Sequence, residues 1–378
     1  MTSLADALER RRIILCVGSG GVGKTTTAAA LAVEAARRGR RTAVLTVDPS
    51  HRLKDALGLS TLAGGPSRVS LAGLGARGAH LDALLLDVKR TFDELVRALA
   101  ATPEQARAVL ENRLYQNLSG TLAGTAEYMA VEQLYRLAAE GGYDVLVVDT
   151  PPARHAVDFL DAPRRLANLL DSRAFAILKD PTSILPGAGS RLARLVLAAV
   201  VRGLERFTGI GLVREVGEFV GVIEALTGAL RERVRAVGAL LTSDGTMPLL
   251  VTAPEPRLIA ETEALVRSLR AIGLAIQGIV VNRALARATF GRGAPDPGLP
   301  DGVSAALAAR LAASWADLRA LGRRQEATLA PLVDSARAPV LAEVPLLATD
   351  PGSLADLGAI ARHLFPDRDR ATAVGVRG

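Results

Sequence analysis

Six short runs of aliphatic and β-branched residues recur along the chain, at Ile13 to Val17, Thr42 to Val47, Ala83 to Leu86, Val145 to Val148, Leu249 to Val251 and Ile276 to Val281. None contains a charge. Continuous apolar runs of this length belong to strands covered on both faces, because a strand with one wet face alternates apolar and polar positions. Helix-length segments separate the runs. Such alternation predicts an α/β fold, a doubly wound and mostly parallel sheet that binds ligands at the carboxyl ends of its strands.

Two regions break the alternation. From Asp171 to Leu241 no strand pattern occurs, only a Pro/Gly-containing loop (Pro181 to Gly189) and two helical stretches, Arg191 to Phe207 and Leu212 to Val237. Each carries a thin polar stripe on a mostly apolar circumference, as in a helical subdomain packed on itself or in an exposed groove or subunit interface. The second break, Gly291 to Gly302, reads as a surface loop before a helix from Val303 to Leu332. The expected organisation is a core over residues 1–170, a helical insertion over 171–241, the rest of the core over 242–366 and a frayed tail over 367–378.

Composition narrows the picture. A 378-residue chain that is 49% apolar can bury a large core. Its longest apolar stretches fall short of the roughly 18 to 20 residues a spanning helix needs, and the charged N-terminus lacks a signal sequence. The expected location is the cytoplasm, at most peripheral to a membrane. Cys16 is the only cysteine, which leaves no internal disulfide, zinc or metalloid thiolate cluster. The net charge of +7 is spread along the chain without basic runs interleaved with aromatics, which argues against nucleic acid as a partner. Of 46 basic residues only Lys24, Lys54, Lys89 and Lys179 are lysine. A lysine kept against such a bias marks a place where arginine does not serve.

Lys24 sits in Gly18-Ser19-Gly20-Gly21-Val22-Gly23-Lys24-Thr25, a match to GxxxxGK[ST] between a strand run and the helix-forming Thr26 to Arg37. The chemistry expected of this P-loop is specific. The backbone N–H groups of Gly20, Gly21, Val22, Gly23 and Thr26, with the helix N-terminus, cradle phosphates; Lys24 reaches the β and γ phosphates; Thr25 ligates Mg²⁺. The strand run ending at Asp149 supplies the acid that holds Mg²⁺ through water. ATP and Mg²⁺ are the expected cofactors, and no Asn-Lys-x-Asp guanine-reading motif is present.

Three motifs together, Gly-Gly-Val-Gly-Lys-Thr-Thr, Asp48-Pro49-Ser50-His51 followed by Asp55, and Asp149-Thr150-Pro151-Pro152-Ala153-Arg154-His155, resemble the arsenite-pump and tail-anchored-protein-targeting ATPases, a deviant Walker A class of P-loop NTPases. The likeness covers most of the chain and extends to Val251-Thr252-Ala253-Pro254-Glu255, Val280-Val281-Asn282 and Val344-Pro345-Leu346. It implies that Asp48, His51 and Asp55 lie in one switch and Asp149, Arg154 and His155 in the other. Asp55 then orients the attacking water, and Asn282 and Pro345 border the adenine. The two histidines read equally well as structural groups bonded to a loop.

The chain departs from the family at Ser19, where the family's loop carries a second lysine that crosses into a partner's site. A hydroxyl supplies no positive charge to the γ-phosphate. The expectations are an asymmetric heterodimer with a lysine-bearing paralogue, or compensation by Arg154; a homodimer remains open. The expected function is an ATP-hydrolysing dimeric switch that acts on a hydrophobic or membrane-protein client. A regulatory ATP-binding subunit without turnover and a partition-type positioning ATPase are the alternatives.

Overall fold

The computed structural model describes residues 3–48, 52–62, 65–112, 115–116, 125–172, 212–285, 290–291, 298 and 303–366, with side chains of the helix 212–241 described from Leu226 onward. Two compact units emerge. One comprises Met1–Leu85, Leu137–Val157 and Thr242–Gly378, the other Leu86–Arg136 and Asp158–Leu241.

The first unit is built on eight strands: β1 (Ile13–Val17), β2 (Thr42–Thr46), β3 (Ser67–Arg68), β4 (Leu81–Leu85), β5 (Val145–Asp149), β6 (Thr246–Thr252), β7 (Gly278–Ala284) and β8 (Val340–Pro345). They lie in the order β3-β4-β2-β5-β1-β6-β7-β8, all parallel except the short β3, which runs against β4. β1, β2 and β5 are buried at every position, as their unbroken apolar runs require. The expected doubly wound sheet is therefore present. Its strand order turns at β1, and the crevice beyond that switch point is where such sheets take ligands.

The helix Lys24–Arg37 that leaves β1 is alanine-rich and buried along most of its length. Small side chains let it lie close to β1, β2 and β5, and the C-terminal helix Leu354–Leu364 packs beside it. That last helix opens on a full capping box between Ser353 and Asp356. The β8 strand answers to the final strand-loop that the resemblance placed at Val344-Pro345-Leu346; the two-residue β3 has no apolar run to betray it.

The second unit is helical. Val96, Val109, Tyr115 and Leu226 form one small core, so helices Val88–Leu99 and Pro103–Leu110 pack with the helix Leu212–Leu241. Glu132 is fully buried at 3.3 Å from Arg233, whose guanidinium lies over Tyr135. Residues 86–136 thus group with the helical segment, whereas the expected boundaries put them with residues 1–170. Segments this far apart in sequence meet only through packing, which one-dimensional periodicity does not reveal. The stretch Arg191 to Phe207 lies outside the described residues, as do His51 and the tail after Pro366. Among the described residues no helix is long and apolar enough to cross a membrane.

Candidate functional site

The loop after β1 folds as a cradle because two glycines permit approaches that no side chain would. A Cβ on Gly18 would sit 2.1 Å from the Val251 carbonyl oxygen. Gly23 takes φ +89°, and a Cβ there would meet the Asn282 amide nitrogen at 2.2 Å. That amide nitrogen donates to the Val22 carbonyl at 2.9 Å, and Asn282 Oδ1 accepts from the Arg283 N–H at 3.0 Å. One amide hydrogen and one lone pair of Asn282 are left, the pair of groups an adenine edge can use.

Lys24 heads the helix that follows and is buried. Its ammonium donates to the Ser19 carbonyl at 2.9 Å. Burial lowers its pKa, and the nearby Asp149 charge opposes that shift. Asp149 ends β5 and is likewise buried; burial pushes its carboxyl up to about 6, while hydrogen bonds from Thr25 and Thr46 hold it down. The Thr25 and Thr46 hydroxyls donate to Asp149 Oδ2 at 2.8 and 3.0 Å. Asp149 Oδ1 is buried without a hydrogen-bond partner. An orphaned carboxylate oxygen beside a threonine hydroxyl fits a hydrated divalent cation, which keeps its waters and offers their hydrogens to second-sphere acceptors.

Ser19 faces elsewhere. It is fully buried; its hydroxyl shares a hydrogen bond with Thr262 Oγ1 at 2.8 Å, and both hydroxyls reach the Leu258 carbonyl, at 3.3 Å from Ser19 and 2.6 Å from Thr262. The side chain at this position is thus committed to the helix Pro256–Ala271.

A cavity of about 520 Å³ brings the parts together. Gly21, Gly23, Lys24, Thr25, Thr26, Asp48, Asp55, Asp149, Asn282 and Pro345 all line it. The volume lies within the range of small-ligand sites, roughly 300 to 1,000 Å³. Asp55 sits on the short helix Arg52–Ala56 with its carboxylate largely exposed, 3.4 Å from the Lys54 ammonium. Arg154 and His155 open the helix Ala153–Leu170 as exposed residues and are not among the cavity's lining.

Sequence reasoning passed over several lining or supporting residues. Thr46 stands directly across from Asp149 in the β2–β5 register, and a polar residue at the carboxyl end of the Ala43 to Leu45 run was its signal. Arg52 and Arg283 both line the cavity. Arg283 takes the left-handed conformation at φ +55° and ion-pairs with Glu255 at 3.1 Å, neither of which sequence reveals.

Comparison with known proteins agrees with this geometry. A family model described as anion-transporting ATPase matches residues 11–290. The chain is 27% identical to "ATPase GET3" of Phaeosphaeria nodorum over 72% of its own length and 77% of that protein. It is 25% identical to "Putative arsenical pump-driving ATPase 2" of Aquifex aeolicus, over 72% and 80% respectively. A shorter match, 36% identical over 42% of this chain and 39% of the other, joins it to "Uncharacterized protein SCO2128" of Streptomyces coelicolor. A cradle with a buried lysine, a strand-end carboxylate at the switch point and a family match over residues 11–290 converge: the chain belongs to the anion-transporting ATPase family.

Proposed function

We propose that the chain binds ATP with Mg²⁺, hydrolyses it, and uses the nucleotide state to change how it holds a protein client as one half of a dimer. The observation that carries this reading is the shared cavity in which Lys24, Thr25, Asp149 and Asp55 meet at the carboxyl end of the sheet. Thr25 and Asp149 would hold a hydrated Mg²⁺, which when bound supplies counter-charge to the β and γ phosphates. Loop N–H groups and the helix Lys24–Arg37 present positive ends to the phosphates. Lys24 exchanges its Ser19 carbonyl for phosphate oxygens, a move from a neutral acceptor to a charged one. Asp55 accepts a hydrogen bond from the attacking water and aligns it with the γ-phosphorus. Asn282 spends its remaining donor and acceptor on the base.

The dimer and the client follow from the resemblance of the three loop motifs, and the apolar helices of the second unit are the client-facing candidate. A second reading has one observation of its own: the Ser19 hydroxyl is tied to Thr262, so this chain lends no charge to a partner's phosphates. It would then be the binding subunit of an asymmetric pair. Phosphate release by the purified chain, measured alone and with its paralogues, separates the two. The first reading expects turnover by the chain alone, cut about 1,000-fold by Lys24→Ala and about 10- to 100-fold by Asp55→Asn with ATP still bound. Tight ATP binding with no turnover until a paralogue is added overturns it in favour of the second.

A further inference from the structure

Phosphoryl transfer spreads negative charge over the γ-phosphate oxygens, and an NTPase answers it with a second cation besides the loop lysine. Ser19 provides none, and its side chain is sealed against Thr262. Arg154, the candidate from sequence, is exposed and does not line the cavity. Among the described residues the cavity offers three cations: Lys24, Arg52 and Arg283. Arg283 follows the base-side Asn282 in sequence and already faces Glu255. Arg52 differs from both. It is exposed to the cavity, three residues before Asp55 on the same short helix, and it has no ion-pair or hydrogen-bond partner among the described residues. Its neighbour Lys54, rather than Arg52, takes the Asp55 carboxylate. An arginine left uncommitted beside four carboxylates, Asp48, Asp55, Asp149 and Asp350, in one nucleotide-sized cavity is a cation waiting for a ligand with more negative charge than the site itself.

We propose that Arg52 is a catalytic residue that binds the γ-phosphate of ATP in cis and supplies the charge that Ser19 cannot. The proposal rests on the ATPase reading above and gives that site its missing cation from within the same chain. A guanidinium grips two phosphate oxygens at once, which a lysine at this position would not do. In the reaction the water oxygen bonds to phosphorus as the bridging P–O bond breaks, and that electron pair passes to ADP. The water's proton leaves with inorganic phosphate or solvent. Arg52 stays protonated throughout and takes no proton.

The test titrates the purified full chain with Mg·ADP and with a β,γ-methylene analogue of ATP, in wild type, Arg52→Gln and Arg52→Lys. Arg52→Gln should weaken the ATP analogue about tenfold and ADP by less than about twofold, with Arg52→Lys intermediate. The loss of ADP–aluminium fluoride binding should be larger than either. Equal weakening of both nucleotides would mark Arg52 as structural, and no weakening would mark it as idle; either result overturns the proposal. If wild type binds neither nucleotide, the ATPase reading falls and the Arg52 proposal with it; wild-type binding that the Arg52 variants share overturns the proposal for Arg52 alone.

Discussion

The phosphate loop and the segment that carries Asp55 border one cavity but are held in place by different means. In the loop, Val22 and Lys24 are buried, Gly23 abuts Asn282, and Asp149 behind it accepts two hydroxyl hydrogen bonds. Each position is fixed by the sheet beneath it. The helix Arg52–Ala56 is five residues long, anchored by buried Leu53 and Ala56, with Asp55 and Arg52 turned outward. Lys54 and Asp55 make a surface ion pair on it. Such pairs are worth about 1 kcal/mol or less. Under the proposed function the difference separates recognition from response: the loop is held ready by the sheet, and the Asp55 segment, tied down by so little, would be the part that moves.

Substitutions can break that contrast. Lys24→Ala should have the largest effect, a loss of turnover of about 1,000-fold, with far-ultraviolet circular dichroism unchanged because the sheet does not depend on the ammonium. Asp149→Asn comes next and acts in the opposite direction on stability. A carboxyl raised from 3.8 to about 6 favours the folded state below pH 4, and that contribution is lost as pH rises through 6. Nucleotide-free Asp149→Asn should therefore exceed wild type by on the order of 3 kcal/mol at pH 7.5, and match it at pH 4, in urea unfolding. The advantage should reverse when Mg·ATP is present, since only the ionised carboxylate holds the metal's waters. A variant no more stable than wild type at pH 7.5 would mean that Asp149 is well solvated.

Gly23→Ala should cost about 1 to 3 kcal/mol, from the left-handed backbone and the collision with Asn282, and should weaken nucleotide binding with it. Lys54→Ala sits at the small end. Its unfolding free energy should change by less than about 1 kcal/mol, while a change in turnover would show that Lys54 restrains the Asp55 carboxylate. A large stability loss from Lys54→Ala would undo the contrast, because the segment would then be as firmly built as the loop.

Much of this was legible in the chain and some was not, for physical reasons. The central strands and the P-loop are local patterns: five apolar residues, then glycines, then a helix former. The edge strand β8 is half-buried with Glu343 inside it, so its hydrophobic signal is diluted. The helix Ala305–Ala336 lies close to the expected span, although most of its first half is exposed and owes little to core burial. Within the site, Lys24, Thr25 and Asp149 follow from motif spacing. The Thr46 contact depends on strand register, the Asn282 clamp on a meeting 260 residues apart in sequence, and the inward turn of Ser19 on a meeting with Thr262, 243 residues away. None of these is a property of neighbouring residues.

The Ser19–Thr262 hydroxyl link has a consequence for how this chain can change. A lysine restored at position 19 would have to leave a slot that holds one hydroxyl and turn its amine into solvent, abandoning Thr262 to donate only to Leu258. Positions 19 and 262 are thereby coupled: a substitution at either one removes a buried hydroxyl partner from the other and leaves it the Leu258 carbonyl alone.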